Sequence, residues 1–417
     1  MARYSYVLPV ISFFFITDAV AAVKLARFIS HDAPFEQQAC LGYVTQHSQG
    51  IPREIANLGS IDGKFCQPLG VSVAPELINE ALQRGDDLPS LSREIISESE
   101  QAERILPPIQ YSKEQLVNGE RLIIGVGFNY VEHLEETGDY SGTSPLLLFS
   151  KPVFPTGPYT PVKVGSSDQL LLDYEVELAM ITLTDIDLSN PPTPNELYPN
   201  VAFALANDLS DRVPIITNPE FGYTQGKSEP GYLPLGPWLR LGREGFADEQ
   251  GNWQIDSSIS LGVTKAESGE FILEQDASLT QMRFDPYQII QIMAKRHDAQ
   301  DNICMRDADG QPHWVLPQNG IIPAGSILLT GTAGGTAIQA PSLWKKIGLF
   351  FKAGFSIDNA RNVFLNEQIV DRNRLGYLQH QDMVSANIQG LGQQVFEVQV
   401  LAQDNIQNRT LPSPICQ

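Results

Sequence analysis

The stretch LLDYEVELAM, residues 171–180, sets three acids at every second position of an otherwise apolar run. Asp173, Glu175 and Glu177 alternate with Tyr174, Val176 and Leu178. In a strand, residues i, i+2 and i+4 share one face, so the spacing predicts three carboxylates pointing the same way from a backbone that reads as buried. Like charges that close repel and raise one another's pKa. A bound cation is the usual relief.

A second apolar run, AFALANDLSDR, ends at Asn207-Asp208. An acid at a strand end can turn into the same cavity. Glu175, Glu177 and Asp208 then offer three oxygen ligands to a hard divalent cation, Mg²⁺ or Mn²⁺, with positions left for water or substrate. Zn²⁺ is disfavoured because no His or Cys accompanies them. Asp173 reads as a supporting residue or the end of a turn.

Further polar groups sit in Gly-bounded loops. GVGFNYVEHLEETG carries Asn129, Tyr130, His133 and Glu136. His133 and Glu136 are neighbours on a helical turn, where a carboxylate orients the ring and raises its basicity, so the pair can activate water. GYTQGKSEPGYLPLGPWL places Lys227 in a Gly-flanked loop, and ILLTGTAGG ends a strand in small residues beside the Thr332 hydroxyl.

In this order the segments IIGVGFNYVEHLEETG, LLLFSKP, LDYEVELA, ANDLSDR, GKSEPGYLPLGPW and LLTGTAGG resemble the signatures of the fumarylacetoacetate hydrolase family. YLQHQDMVSANIQGLGQQV resembles its closing strands, so the likeness runs over roughly 120–400. The resemblance implies an α+β, mostly β fold: a β-roll or mixed β-sandwich catalytic domain with a small N-terminal domain, commonly a homodimer. It implies Mg²⁺ or Mn²⁺ on Glu175, Glu177 and Asp208, and a His133–Glu136 dyad handling water or a proton. Lys227 would stand near the substrate oxygens, with Asn129, Tyr130, Gly331 and Thr332 seating the substrate. The implied reaction is hydrolysis of a carbon–carbon bond in a small 1,3-diketo acid, acylpyruvate- or fumarylacetoacetate-like, through a metal-stabilised enolate. Oxo-acid decarboxylation, isomerisation or hydration on the same site is the alternative. An exported, non-catalytic binding protein on this fold is a third reading. Two departures bear on substrate fit. Glu229-Pro230 stands where an aromatic and then Asp are usual, and Ala333 stands where Pro is usual. Lys151 and Arg212 fall within signatures as structural partners of the acids or holders of an anion. His31, His47, His297, His313 and His380 fall outside them and read as structural or solvated.

The 417 residues are 42% hydrophobic and 18% charged, which suits a globular chain of one large domain or two. A net charge of −21 argues against nucleic acid as a partner. A small anionic substrate would need local Lys and Arg to offset that field. MARYSYVLPVISFFFITDAVAA, residues 1–22, has the plan of a secretory signal peptide: Arg3, an apolar run and an A-x-A site. The run is shorter than the ~20 residues of a bilayer span. The expected location is therefore periplasmic or secreted if the leader is cleaved, and cytoplasmic otherwise. Cys40, Cys66, Cys304 and Cys416 allow three pairings, of which sequence neighbours favour Cys40–Cys66 and Cys304–Cys416. Asn408-Arg409-Thr410 is a glycosylation sequon.

The expected division is a small N-terminal domain at 23–115 and a catalytic domain at 116–417, joined by the Pro-rich ILPPIQYS. VKLARFI and LGVSVA read as strands and APELINEALQRG as a helix. DPYQIIQIMAKRHD reads as the clearest of few helices in the second region. Residues 297–320 and 338–375 read as insertions. The second carries APSLWKKIGLFFKAGF, an apolar stripe with lysines that reads as packing on the domain or a dimer partner, or else as a lid or membrane-surface helix.

Overall fold

The computed structural model describes residues 23–84, 91–136, 141, 143–165, 170–247, 253, 257–401 and 413–416. The expected leader, residues 1–22, and the sequon lie outside the described residues. Strand outweighs helix, 33% to 25%, in mixed sheets with no closed barrel, as a mostly β, α+β reading requires.

Three sheets organise the chain. The first is antiparallel, in the order Ser92–Ile95, Ile51–Asn57, Ala39–Ser48, Leu25–Ile29, Ile105–Leu106, with Cys66–Gln67 pairing beside Ala39–Ser48. Cys40 faces Cys66 across that last pair and the two form a disulfide. Leu25–Ile29 falls where VKLARFI predicts a strand, and the helix Pro75–Arg84 where APELINEALQRG predicts one. LGVSVA forms no strand: its Gly70 takes φ 85° in a turn, and the irregular residues after it lead straight into the helix. The expected linker is part strand, since Ile105–Leu106 closes the sheet edge against Arg27 and Phe28.

The central sheet runs Arg240–Leu241, Val201–Asn207, Val176–Thr182, Ile327–Thr332, Ile123–Gly127, Leu147–Ser150. Its one parallel pairing joins Ile327–Thr332 to Ile123–Gly127. Every residue of Val176–Thr182 and of Val201–Asn207 is buried, which is why these strands read as near-continuous apolar runs. One face packs on the third sheet: Phe271–Ser278, Ser258–Thr264, Met383–Ile388, Gly392–Leu401, Val162–Gly165. On the other face Ala179, Ile181 and Ala202 share a core with Leu25, Leu41 and Tyr43 of the first sheet. The central sheet is therefore clamped between two layers.

The helix Pro286–Asp298 begins with a capping box, Asp285 accepting from Gln288 N and Gln288 reaching back to Asp285 N. The region read as insertion 297–320 contains the hairpin Cys304–Arg306/Pro312–Trp314, tied to the C-terminus by the Cys304–Cys416 disulfide. The region 338–375 holds two helices, Leu343–Lys352 and Ile357–Val370, so helices are more numerous than the sequence suggests. The hairpin they form packs on the domain through Leu349 and Leu365, while Trp344 and Phe351 stay 82% and 61% exposed. Among the described residues no helix is long and apolar enough to cross a membrane.

A buried carboxylate cluster as candidate active site

LLDYEVELAM is not one strand. Leu172–Asp173 pairs with Ser210–Asp211, the chain breaks at Tyr174 and Glu175, and Val176–Thr182 starts afresh in the central sheet. Side chains satisfy the backbone N–H groups that the break frees. Tyr174 N donates to Asp173 Oδ1 at 2.9 Å, Glu175 N to Asn207 Oδ1 at 3.2 Å, and Val176 N to Gln275 Oε1 at 2.9 Å. The break separates the three acids. Asp173 stays outside the triad and accepts from Ala337 N, Ile338 N and Arg212 Nε at 2.8–3.1 Å, so it anchors the loop after Ile327–Thr332.

Glu175 and Glu177 meet Asp208 instead. One carboxylate oxygen from each lies within 4.8 Å of the others, and all three residues are buried. Asp208 is positioned by its own N–H, which donates to Glu175 O at 2.8 Å. The pairing of Val176–Thr182 with Ile327–Thr332 shifts register between Glu177 and Ala179, an irregularity of the kind that re-aims side chains beside active sites. Gly331 N donates to Glu177 Oε2 at 2.8 Å. Gly331 has φ 94°, and a Cβ there would lie 2.8 Å from Asn129 Cβ, so this donor position demands glycine.

Three cations close over the acids. Lys227, in the last turn of Tyr223–Lys227, donates to Glu175 Oε2 at 2.6 Å, Asp208 Oδ2 at 2.8 Å and Ser210 Oγ at 2.7 Å. Lys151 Nζ lies 2.6 Å from Asp208 Oδ1 and also donates to the Lys227 carbonyl. Arg212 Nη2 donates to Glu175 Oε1 at 2.6 Å. Burial disfavours every one of these charges, and the partners decide the outcome. Burial would raise the pKa of Glu175, but Lys227 and Arg212 hold it below the usual carboxylate range. Burial would lower that of Lys227, but Asp208 and Glu175 raise it. Lys151 is pushed down to about 8 by burial. Glu177 gains least from the cations: burial, Asp208 and Glu175 together push its pKa well up.

Asp173, Glu175, Glu177 and Asp208 set four carboxylates against three cations, leaving one excess negative charge that falls on Glu177. An all-oxygen, buried donor set with one uncompensated charge fits a hard divalent cation. Tyr130 fits beside it. Its hydroxyl is buried with no hydrogen-bond partner among the described residues, and the charge of Glu177 adds to burial in raising its pKa.

Beside the cluster lies a cavity of about 60 Å³ whose walls include His133, Glu175, Arg212, Lys227 and Thr332. His133 Nδ1 lies 3.3 Å from Glu136 Oε2, and Gly335 N donates to Glu136 Oε1 at 2.6 Å. Burial opposes the Glu136 charge, but His133 and Gly335 bring its pKa down. The neighbouring Phe128 holds a left-handed φ of 68°, strained for an aromatic residue and typical of functional loops.

Other residues read from the sequence sit behind the walls. The Asn129 amide donates to Phe284 O and Thr330 O at 2.9 and 2.7 Å and accepts from Phe284 N at 2.9 Å, so it ties the loop to the start of the long helix. Thr332 lines the cavity, yet its hydroxyl donates to Val176 O at 3.0 Å and accepts from Gln275 at 2.8 Å. Ala333 is buried, its carbonyl held by Gln275 at 2.9 Å, and neither it nor Glu229 lines the cavity. Gln275 itself was not legible as a site residue. It sits in FILEQDAS, outside every signature, and only its burial as a lone amide marks it.

Comparison with known proteins agrees with this architecture. The family model described as fumarylacetoacetate (FAA) hydrolase, C-terminal, matches residues 122–399, well over half of the chain. An uncharacterized protein of Archaeoglobus fulgidus is 26% identical over 200 residues, spanning 46% of this chain and 66% of that protein, just under two thirds of its length. Among solved structures, a fumarylacetoacetate hydrolase from psychrophilic Exiguobacterium antarcticum superposes with a TM-score of 0.55 at 20% identity, covering 91% of this chain and 100% of that one. A 2-hydroxyhepta-2,4-diene-1,7-dioate isomerase from Mycobacterium marinum does so with a TM-score of 0.50 at 16% identity, covering 92% and 100%. At such identities these structures establish a shared fold. With the match of the family model over the residues that build both the cluster and the cavity, the chain belongs to the fumarylacetoacetate hydrolase family.

Proposed function

We propose that the protein is a divalent-metal-dependent hydrolase that cleaves the carbon–carbon bond between the two carbonyls of an acylpyruvate-like acid. The observation that carries this reading is the meeting of Glu175, Glu177 and Asp208 within 4.8 Å, beside a small cavity that Glu175 lines together with His133 and Lys227. Members of the family typically bind a divalent metal, and this triad offers a site for one. A cation there supplies electrophilic stabilisation to oxygens on which negative charge develops. Mg²⁺ and Mn²⁺ suit the oxygen donors equally.

The chain's own residues do the rest. Adding two positive charges to a cluster with one excess negative charge leaves it net positive, which suits an anionic head group despite the acidic surface. Glu136 fixes the His133 ring through Nδ1, so Nε2 is the nitrogen that takes the proton of the attacking water. That water adds to the carbonyl far from the carboxylate, and the carbon–carbon bond breaks. His133 then returns the proton to the carbon that leaves. Lys227 directs its three protons at Glu175, Asp208 and Ser210, and turns toward a substrate oxygen only by releasing one of these partners.

The fold neighbour named as an isomerase favours a second reading, rearrangement of an oxo-acid at the same groups. Product analysis separates the two. Turnover of acylpyruvates and of oxaloacetate, with Mg²⁺, Mn²⁺ or EDTA, is the test. Metal-dependent release of pyruvate and a second acid supports the hydrolase. A changed substrate with no second product supports the isomerase. Inactivity without metal binding overturns both.

A further inference from the structure

We infer that the acyl arm of the substrate is long and apolar, and that it lies in a vestibule walled by the helical hairpin 343–370. This inference rests on the hydrolase reading for the identity of the head group. The cavity beside the carboxylates holds about 60 Å³, room for little more than a pyruvoyl fragment. Phe128, Ile215, Tyr223 and Ile338 line it and also line a second cavity of about 740 Å³, so these four side chains stand between the two, where an acyl arm would pass them as a neck. The larger volume falls within the ~300–1,000 Å³ of sites that enclose whole small molecules.

The chemistry of the second cavity differs from that of the first. Beyond the neck its walls include Leu134, Ile216, Leu349, Phe350, Ala360 and Phe364. Its polar members are Glu136, Ser144, Lys346 and Arg361, and Arg361 has an ion-pair partner in Asp358 at 3.3 Å. Leu349, Phe350, Ala360 and Phe364 all come from the hairpin that the sequence marks as an addition. The hairpin therefore converts an open mouth into an apolar chamber. A substrate whose carboxylate and carbonyls face Glu175, Arg212 and Lys227 would extend its acyl substituent past Phe128, Ile215, Tyr223 and Ile338. A chamber of this composition rewards hydrocarbon and offers no polar array to a second charged group.

The test compares kcat/KM for acetylpyruvate, octanoylpyruvate, dodecanoylpyruvate and benzoylpyruvate, for the wild type and for Ala360→Trp and Leu349→Asp. Each methylene that enters the vestibule raises kcat/KM roughly fourfold until the chamber is filled, from the burial of one CH₂ converted at the usual free energy per decade. The ratio between octanoyl and acetyl substrates in one preparation cancels any loss of folded protein. In both variants that ratio falls toward one. Turnover of acetylpyruvate with no gain from chain length, or a gain that survives both substitutions, overturns the vestibule and leaves the hydrolase reading standing. If no acylpyruvate turns over, titration with 2-oxodecanoate and pyruvate in the presence of Mn²⁺ decides. Tighter binding of the longer acid, lost in Ala360→Trp, keeps the vestibule while the hydrolase reading fails, and equal affinities overturn both. A flat chain-length profile together with a dimer that Ala360→Trp dissociates assigns the chamber to a second copy of the chain, and that result also overturns the inference.

Discussion

The carboxylate cluster and the helical hairpin stand on either side of one neck and are built on opposite plans. The cluster is fully buried, and every carboxylate in it except Glu177 is answered by a cation, whereas Glu177 has the Gly331 N–H. The hairpin pairs its charges at the surface, Lys345 and Lys352 with Glu367 and Arg361 with Asp358, while Trp344 and Phe351 stand largely in solvent and its inner face borders open volume. The difference teaches where each property can change. Buried ion networks tolerate no loss of a partner, because the remaining charge is stranded. A surface hairpin can be added, lengthened or repacked with little penalty, so selectivity can vary there while the chemistry stays fixed.

The contrast is sharpest at Glu177. Glu177→Gln keeps the shape and removes the excess charge. It lowers kcat/KM by about 10³-fold or more, the several kcal/mol that a Lewis acid supplies, while raising the melting temperature of the metal-free protein. A variant that loses activity and stability together would place Glu177 in the framework rather than at the cation. His133→Ala lowers kcat by ~10²–10⁴-fold, as loss of a general base does, and leaves Mn²⁺ affinity unchanged. Arg212→Met strands Asp173 and Glu175 and destabilises the fold by about 3–5 kcal/mol in urea titration.

Glu177 also sets a pH dependence. Its folded pKa lies above its unfolded value, so the stability it contributes is present at low pH and is lost as pH rises through the folded pKa. The metal-free protein therefore loses stability as pH rises above the ordinary glutamate range, Mn²⁺ restores it, and Glu177→Gln abolishes the slope. Glu175 has the opposite sign: its pKa is depressed, so its contribution disappears only in acid below the ordinary glutamate range. At the small end, Trp344→Ser on the outer face of the hairpin changes stability by no more than about 0.5 kcal/mol.

Much of this was legible in the sequence because burial leaves marks. Val176–Thr182, Val201–Asn207 and Ile327–Thr332 are continuous apolar runs bounded by polar turns. The acids among them are conspicuous for the energy their burial costs. The disulfides follow sequence neighbourhood, Cys40 with Cys66 and Cys304 with Cys416. What could not be read was long-range register. Alternation put Asp173 on the face of Glu175 and Glu177, but the break at Tyr174 depends on Asn207 and Gln275, which arrive from other strands. The family resemblance places Asn129 among the substrate contacts. Only the placement of Phe284 and Thr330 turns its amide into a tie. Nor does any local pattern foretell that the inner face of the hairpin meets Ile215 and Tyr223 across open volume.

The most direct test of the central claim is calorimetric titration of Mn²⁺ into the wild type and Glu177→Gln near neutral pH. The account predicts one Mn²⁺ per chain for the wild type, with affinity falling as the solution is acidified toward the raised pKa of Glu177, and no such binding in the variant. Absence of binding to the wild type, or binding that Glu177→Gln leaves intact, would contradict the assignment of Glu175, Glu177 and Asp208 as a cation site.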